Sequence, residues 1–576
     1  MKKLITSGSF SFGGWVFDTD FIPTMGLPYL MAHGMGEPVA DAEAGFSLPE
    51  GKYHTWLYTF NWVAPWHEDA APGKYELLVD GVSCGIFGDA PSTWGWVRGQ
   101  DISVLGEKHK AVLHDLTGFD GRVAAILLTD EEEPALPGVD GIFDFYMELT
   151  GNPGGKEITA DFAVVGGGLA GMCAAVMASR RGLKTVLIQD RPVVGGNNSS
   201  EARVWLGGGT NADPLPGVGN IVNEFEQDKA RHYGPENKAE LYEDERKEKI
   251  VREAGVELYL NCTMKNVSVK DGKIDTITVW DTHKDEVFTV KAPLYADCTG
   301  DGTLGTLAGA HFEVTTNGHM GRTNFWCVED TGEKQIFPPC PWAVQLYGID
   351  IPGRVKGGAP EIKKLGCWYW ETGMERDPIV YGEYARDLNL RAMYGAWDAL
   401  KNYDHDYETY KITESTVIGG MRESRRLLGD VILTKADVYS DTVFPDACVP
   451  SFWNFDVHYP HPKYYSAFHE GDGFLTLDYH EGFRKPYWVP YRCFYSRNIP
   501  NLFMAGRDVS VSHEALGTVR VMRTCGMMGE IVGLAAYLCR EHNVLPRNIY
   551  TDYLEELMGI LRSLPKRELR PQTKAV

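Results

Sequence analysis

The stretch that most constrains this chain is "DFAVVGGGLAGMCAAVMASRRGLKTVLIQDRP", running from Asp161 to Pro192. It reads as an apolar strand, a glycine turn, a helix and a second strand. Gly166, Gly168 and Gly171 satisfy G-x-G-x-x-G directly after the strand Phe162–Val165. In such a unit the first glycine permits the tight turn, the second lets backbone approach a pyrophosphate, and the third lets helix and strand pack closely. The pyrophosphate sits on the amide-rich, positive end of the helix, at Leu169 and Ala170. Placed between two strands, the motif predicts a dinucleotide site in a parallel α/β sheet. Gln189 occupies the place at the end of the second strand where an acidic residue normally takes ribose hydroxyls, and Asp190 follows it. Either side chain is a candidate ribose contact.

The motif comes late, and the residues before it carry a different pattern. "KYHTWLYTFNWVAPW" alternates with period two, so Trp56, Tyr58, Phe60 and Trp62 share a face. "KYELLVDGVSCGIFG" reads as a hairpin turned at Asp80-Gly81. These signals predict an all-β sandwich over 1–135 and a linker over 136–157. The aromatics are expected chiefly to fill its core, with a carbohydrate-facing subset as the sharper alternative.

Composition narrows the partners. A net charge of −23 argues against phosphate-backbone binding and against docking on anionic lipid. No apolar run approaches the roughly 20 residues that span a bilayer. The start lacks the apolar core of a signal peptide. Eleven cysteines without CxxC or CxxH spacing suggest neither a disulfide framework nor a metal site. A reduced, cytoplasmic enzyme, with homodimerisation as the default assembly, is the expectation.

Further glycine-rich pieces follow. "RPVVGGNNSSEARVW" places Gly195 and Gly196 after the second strand, "LYADCTGDGTLGTLAGA" follows a meander turned at Asp271-Gly272, and "NIPNLFMAGRDVSVSHEALGTVR" comes near the C-terminus. This order resembles FAD-dependent oxidoreductases of the glutathione-reductase-like superfamily. "QDRPVVGGNNSSEARVW", "GCWYWETG", "GGMRESRRLLGD", "FWNFDVHYP" and "VPYRCFY" resemble one branch of it, the family called FAD-dependent oxidoreductase. The resemblance runs from about Ala160 to the C-terminus. It implies FAD, a Rossmann-type FAD domain over 158–310 and 490–576, and a substrate cap over 311–489. It implies FAD contacts at Gly166, Gly168, Leu169, Ala170, Gly171, Gln189, Asp190, Arg191, Gly195, Gly196, Asn197, Asn198, Arg203, Thr299, Gly300, Asp301, Gly506, Arg507, Asp508 and His513. The last motif departs from the family's glycine–aspartate order by inserting Arg507, which leaves open whether Arg507 or Asp508 faces the ribityl chain.

A flavin carries the redox chemistry, so the protein must orient substrate and move protons. His513 and Glu514 follow the late motif, and His513 is the leading candidate base. His458, Asp456 and His461 form a second group, with His458 as a candidate catalytic residue and the others as substrate contacts. Arg422, Arg425 and Arg426 are candidate anchors for a substrate carboxylate or a phosphate. Glu371, set among aromatics, is a further catalytic candidate: such a setting can raise a carboxylate's pKa, and a buried structural pairing is the equal alternative. The leading reading is oxidation of a secondary alcohol on a sugar or glycoside by hydride transfer to flavin. The alternatives are a redox-neutral lyase or glycosidase working through transient oxidation, and a glycan-binding protein with a vestigial flavin site.

Overall fold

Two hydrophobic patterns in the chain produce two kinds of sheet. The computed structural model describes residues 1–151, 155–227, 237–354, 361–465 and 472–567. Before residue 130, alternating strands form a seven-stranded antiparallel sheet and a four-stranded one. In the first, Gly121–Thr129 lies between Tyr29–Ala32 and Gly51–Thr59, and Lys2–Thr6 also pairs with it. The second runs in the order Ala42–Ser47, Lys108–Asp115, Tyr75–Val79, Val82–Phe87. Leu57, Ile126, Leu77 and Leu113 belong to one apolar core shared by both sheets. Asp80 and Gly81 turn the expected hairpin with φ of 50° and 80°, as a type I′ turn requires.

The other face of the seven-stranded sheet is also covered. Tyr58, Tyr29, Met31 and Leu127 pack with Trp56 and Trp96 against Ile142, Tyr146, Trp280 and Val417. Phe60, Trp62 and Val63 join Trp326, Trp342 and Tyr394 in another core. The aromatic run therefore docks the N-terminal unit onto the rest of the molecule. The stretch read as a linker contains a helix, Val139–Thr150, whose Ile142 and Tyr146 are buried in this junction.

Buried ion pairs cross the same junction. Arg122 donates to Asp387 (Nη2–Oδ1 2.6 Å) and to Glu383 (2.9 Å), and Arg386 donates to Asp18 at 3.0 Å. Removing one partner from such pairs strands a buried charge.

The apolar runs after residue 160 form a five-stranded parallel sheet. Its order is Glu257–Tyr259, Thr185–Ile188, Phe162–Val165, Leu294–Asp297, Leu502–Met504. The last strand joins from late in the chain and brings the Gly506 motif beside the Thr299 motif. The helix Leu169–Arg180 packs on Met522–His542. A Cβ on Gly529 would stand 2.0 Å from the Ala170 carbonyl, and one on Gly533 2.4 Å from that of Ala174. Glycine on one helix and alanine on the other set that close approach. A four-stranded sheet including the Asp271-Gly272 meander flanks this layer.

Between residues 311 and 489 lie short two- and three-stranded sheets around the buried helix Gly382–Asp398. Among the described residues, no helix is long and apolar enough to cross a membrane.

Candidate active site

Two adjoining cavities lie at the carboxyl ends of the parallel strands and under the central segment. The first, about 220 Å3, is lined by all three glycine motifs: Gly166 and Gly168, Gly195 and Gly196, and Gly506. Leu169, Ala170, Gln189, Asp190, Arg191, Asn197, Thr299, Gly300, Asp301 and Arg507 also line it.

The glycines divide their work as the motif requires. Gly166 has φ +100°, and a Cβ there would lie 2.3 Å from the Cys298 carbonyl. A Cβ on Gly171 would lie 1.8 Å from the Gly166 carbonyl, so this residue serves helix–strand packing behind the cavity. Gly168 differs: its Cβ would meet only the Gly196 Cα, at 3.8 Å. The space beside Gly168 opens into the cavity, next to the positive end of Leu169–Arg180. A dinucleotide pyrophosphate suits that cradle.

Several expected contacts take other roles. The Gln189 Oε1 accepts from the Gly167 N–H at 2.6 Å, and its Nε2 donates to the Val193 carbonyl at 3.2 Å. Both ends of this amide thus hold the turn. Asp190 lines the cavity with an exposed carboxylate beside Arg191. Arg191 forks onto Glu201 (Nη2–Oε1 2.6 Å). Asn198 and Arg203 do not line the cavity. Asn198 pairs with Gln227 and the Val204 carbonyl, and Arg203 with Glu414.

In the late motif it is Arg507, not Asp508, that lines the cavity. Arg507 lines both cavities and donates to Asp301 at 3.0 Å and to Ser424 at 3.2 Å. Asp508 lines neither; burial and the adjacent Asp297 hold its carboxyl well above the usual range. Cys525 lines the first cavity, but burial raises its thiol to about 12, which keeps it protonated.

The second cavity, about 170 Å3, shares Asn197, Met421, Arg507 and Met522 with the first. Trp205, Trp368 and Trp453 supply aromatic surface; Arg422, Asp456, His458, His480 and Arg520 supply polar groups. At its centre, His458 Nδ1 lies 2.6 Å from Glu371 Oε2, and Nε2 lies 3.1 Å from Asp456 Oδ1. Glu371 is fully buried; it accepts from the Gly321 N–H at 2.7 Å and pairs with Arg422 at 3.2 Å. Burial alone would raise its carboxyl, but Arg422, His458 and Gly321 outweigh burial and hold it at about 2. Of the two readings of Glu371, the buried pairing is the one found, and the raised pKa is not. Aromatic neighbours matter less than a guanidinium and an imidazole in direct contact. Asp456 is likewise held low: burial opposes ionisation, but Arg520, His458 and the Trp453 N–H prevail.

The remaining candidates stand elsewhere. His513 Nδ1 lies 2.8 and 3.0 Å from the two oxygens of Glu423, which also pairs with Arg426 and accepts from the Met320 N–H. His513 lines neither cavity. Its place is a structural cluster at the start of the helix His513–Val519. Glu514 is exposed and bonded to Ser512. Arg425 and Arg426 lie outside both cavities, so of the three arginines only Arg422 lines the second. His461 accepts from the Lys463 backbone N–H at 3.3 Å, outside both. No group of metal-ligating side chains occurs among the described residues.

Sequence reasoning missed Arg520, His480 and Trp205 in the second cavity, and Thr19, Asp20 and Arg322 in the first. Arg520 is the last residue of the quoted stretch "NIPNLFMAGRDVSVSHEALGTVR", one helix beyond the glycine, so the available signal was in view. Asp20 carried none.

With this geometry in place, the class is a dinucleotide-binding flavoprotein. The family model for FAD dependent oxidoreductases matches residues 161–338 and 362–558, and the chain belongs to that family. Its cofactor is FAD, and it is an enzyme. Similar solved structures include a geranylgeranyl bacteriochlorophyll reductase-like protein from Thermoplasma acidophilum, at 14% identity and a TM-score of 0.33, covering 71% of this chain and 83% of that one. The OxyS anhydrotetracycline hydroxylase from Streptomyces rimosus gives 11% identity and a TM-score of 0.33, covering 71% and 68%. A 3-ketosteroid dehydrogenase from Rhodococcus jostii RHA1 gives 11% and 0.28, covering 66% and 98%. No curated protein matches the chain.

Proposed function

We propose that this FAD-dependent oxidoreductase oxidises a secondary alcohol of a sugar or glycoside, with His458 as the base. The observation that carries the reading is the second cavity, in which a carboxylate-oriented histidine stands among tryptophans beside the flavin cavity. Bound FAD supplies the hydride acceptor. Glu371 accepts the Nδ1–H of His458, and Nε2 faces Asp456 at 3.1 Å; Nε2 is the proton acceptor for a substrate hydroxyl in the neutral ring, once the proton it shares with Asp456 has left. The carbinol hydrogen leaves as hydride, the hydroxyl proton passes to Nε2, and a carbonyl remains. Tryptophan faces suit the C–H faces of a pyranose. The charges of Arg422 and Arg520 are matched by Glu371 and Asp456, which suits a neutral polyhydroxyl compound more than an anion.

In the same reading, the N-terminal sheets are a β-sandwich over 1–135, joined to a glutathione-reductase-like FAD domain (158–310 and 490–576) with a cap over 311–489. The eleven buried free thiols favour a reducing, cytoplasmic setting.

The test is anaerobic absorbance of the holoenzyme with a panel of sugars and glycosides. Bleaching of the oxidised flavin band that persists until an acceptor is added supports the reading. Product formation with the flavin remaining oxidised and no acceptor present would replace it with redox-neutral chemistry. No spectral change and no product across the panel would remove the carbohydrate assignment.

A further inference from the structure

The cavity that holds the glycine motifs is not made by the α/β module alone. Thr19, Asp20 and Pro23, which belong to the N-terminal unit, line it alongside Asp190, Arg191 and Glu201. They are fixed there from both sides. The Thr19 hydroxyl donates to the Asp190 carbonyl at 2.8 Å and accepts from Arg191 Nη1 at 2.8 Å. Asp20 pairs with Arg322, a nearly buried arginine that also lines the cavity and stacks over Phe21 at 5.2 Å. Asp18, two residues earlier, is bonded to Arg386.

This placement answers a deficit in the nucleotide motif. The position that normally offers a carboxylate to FAD hydroxyls is Gln189, and both ends of its amide are engaged by backbone. Asp190, the next residue, offers the cavity one carboxylate from within the module, and Asp20 offers a second from outside it. The Asp20 side chain is 22% exposed, partly open to the cavity rather than sealed in the junction.

We propose that the N-terminal unit is part of the FAD site: Thr19–Pro23 closes the wall of the cofactor cavity, and Asp20 is a cofactor-binding residue accepting from an FAD hydroxyl. The proposal rests on the first cavity being the FAD site. It makes FAD binding and docking of the N-terminal unit one linked equilibrium, since a ligand that binds only the docked form stabilises that form.

Two measurements on the full chain test it. In hydrogen exchange of apoprotein before and after loading with FAD, amides of Val16–Met25 slow together with those of the motif Phe162–Gly171. In flavin-fluorescence titration, Asp20→Asn raises the FAD dissociation constant about tenfold, the effect of one charge-assisted hydrogen bond. Trp94→Phe removes a contact between the same two units outside the cavity, the indole donation to Glu383 at 2.9 Å. It leaves the constant within about twofold, so a fall in affinity through loosened docking alone is distinguished from loss of a direct contact. Equal weakening in both variants, or an Asp20→Asn protein that binds FAD like wild type, overturns the role of Asp20. Protection of 162–171 without 16–25 overturns the proposal while leaving the FAD cavity intact. Protection of neither overturns the placement of FAD and the proposal with it.

Discussion

The two adjoining cavities are built from different material. The first is largely backbone: glycines at 166, 168, 195, 196 and 506 bring main chain to the surface, and side chains mostly brace it from behind. The second is mostly side chain, with three tryptophans, three arginines and a histidine held between two carboxylates. A backbone cradle recognises what all FAD molecules share. A side-chain cavity is free to define one substrate, because each of its residues can change without disturbing a turn.

The comparison breaks most readily at Gly168. A Cβ there meets only the Gly196 Cα, at 3.8 Å, so a branched side chain is aimed at the cradle rather than at the turn. Gly168→Val is expected to purify folded, by circular dichroism, and with FAD affinity down about 100-fold or more. Normal flavin content would show that the backbone cradle is not the pyrophosphate site.

The next effect belongs to the second cavity. His458→Gln should keep its flavin and lose about 10^2- to 10^4-fold in the rate of anaerobic flavin reduction. His513→Gln should lose less than about tenfold, because its imidazole faces Glu423 rather than either cavity. The reverse ranking would return the chemistry to the late motif.

Acid sharpens the contrast further. The Glu371 carboxyl is lowered to about 2, below its ordinary value, so it contributes stability above that ordinary value. That contribution disappears as pH falls towards 2. Glu371→Gln should therefore be less stable than wild type near neutrality, and the gap should close on acidification. Thermal melts across pH 2–6 (approximately the window in which the group titrates) measure this; a constant gap would mean that ionisation is not what Glu371 contributes. The smallest effect is expected at Glu514, exposed beside Ser512. Glu514→Gln should leave flavin reduction within about twofold of wild type.

What could be seen in the sequence follows the same division. Gly166, Gly168 and Gly171 announce themselves because a tight turn and a close approach admit no other residue. The parallel sheet and the Asp80-Gly81 hairpin were legible for similar reasons. His458 was visible as a candidate but ranked below His513, because proximity in sequence to a flavin motif does not say where a side chain points. The direction of the Glu371 shift was not legible, since Arg422 and His458 meet it only in the fold. The aromatic run Trp56–Trp62 shows period two whether its outer face meets sugar, water or protein. Only tertiary structure reveals that Trp280 and Trp342 cover it.

The order of the parallel strands also bears on synthesis. Leu294–Asp297 receives its neighbour Leu502–Met504 from near the end of the chain, and Met522–His542 supplies the helix against which the first motif helix rests. While the chain is growing, the early glycine turn emerges from the ribosome with its supporting strand and helix still unmade. The nascent segment must wait with an open sheet edge and an uncovered alanine face until residues 502–542 have been made. The cavity that the early glycine turn begins is therefore complete only after Gly506, Met522 and Cys525, which also line it, have been made.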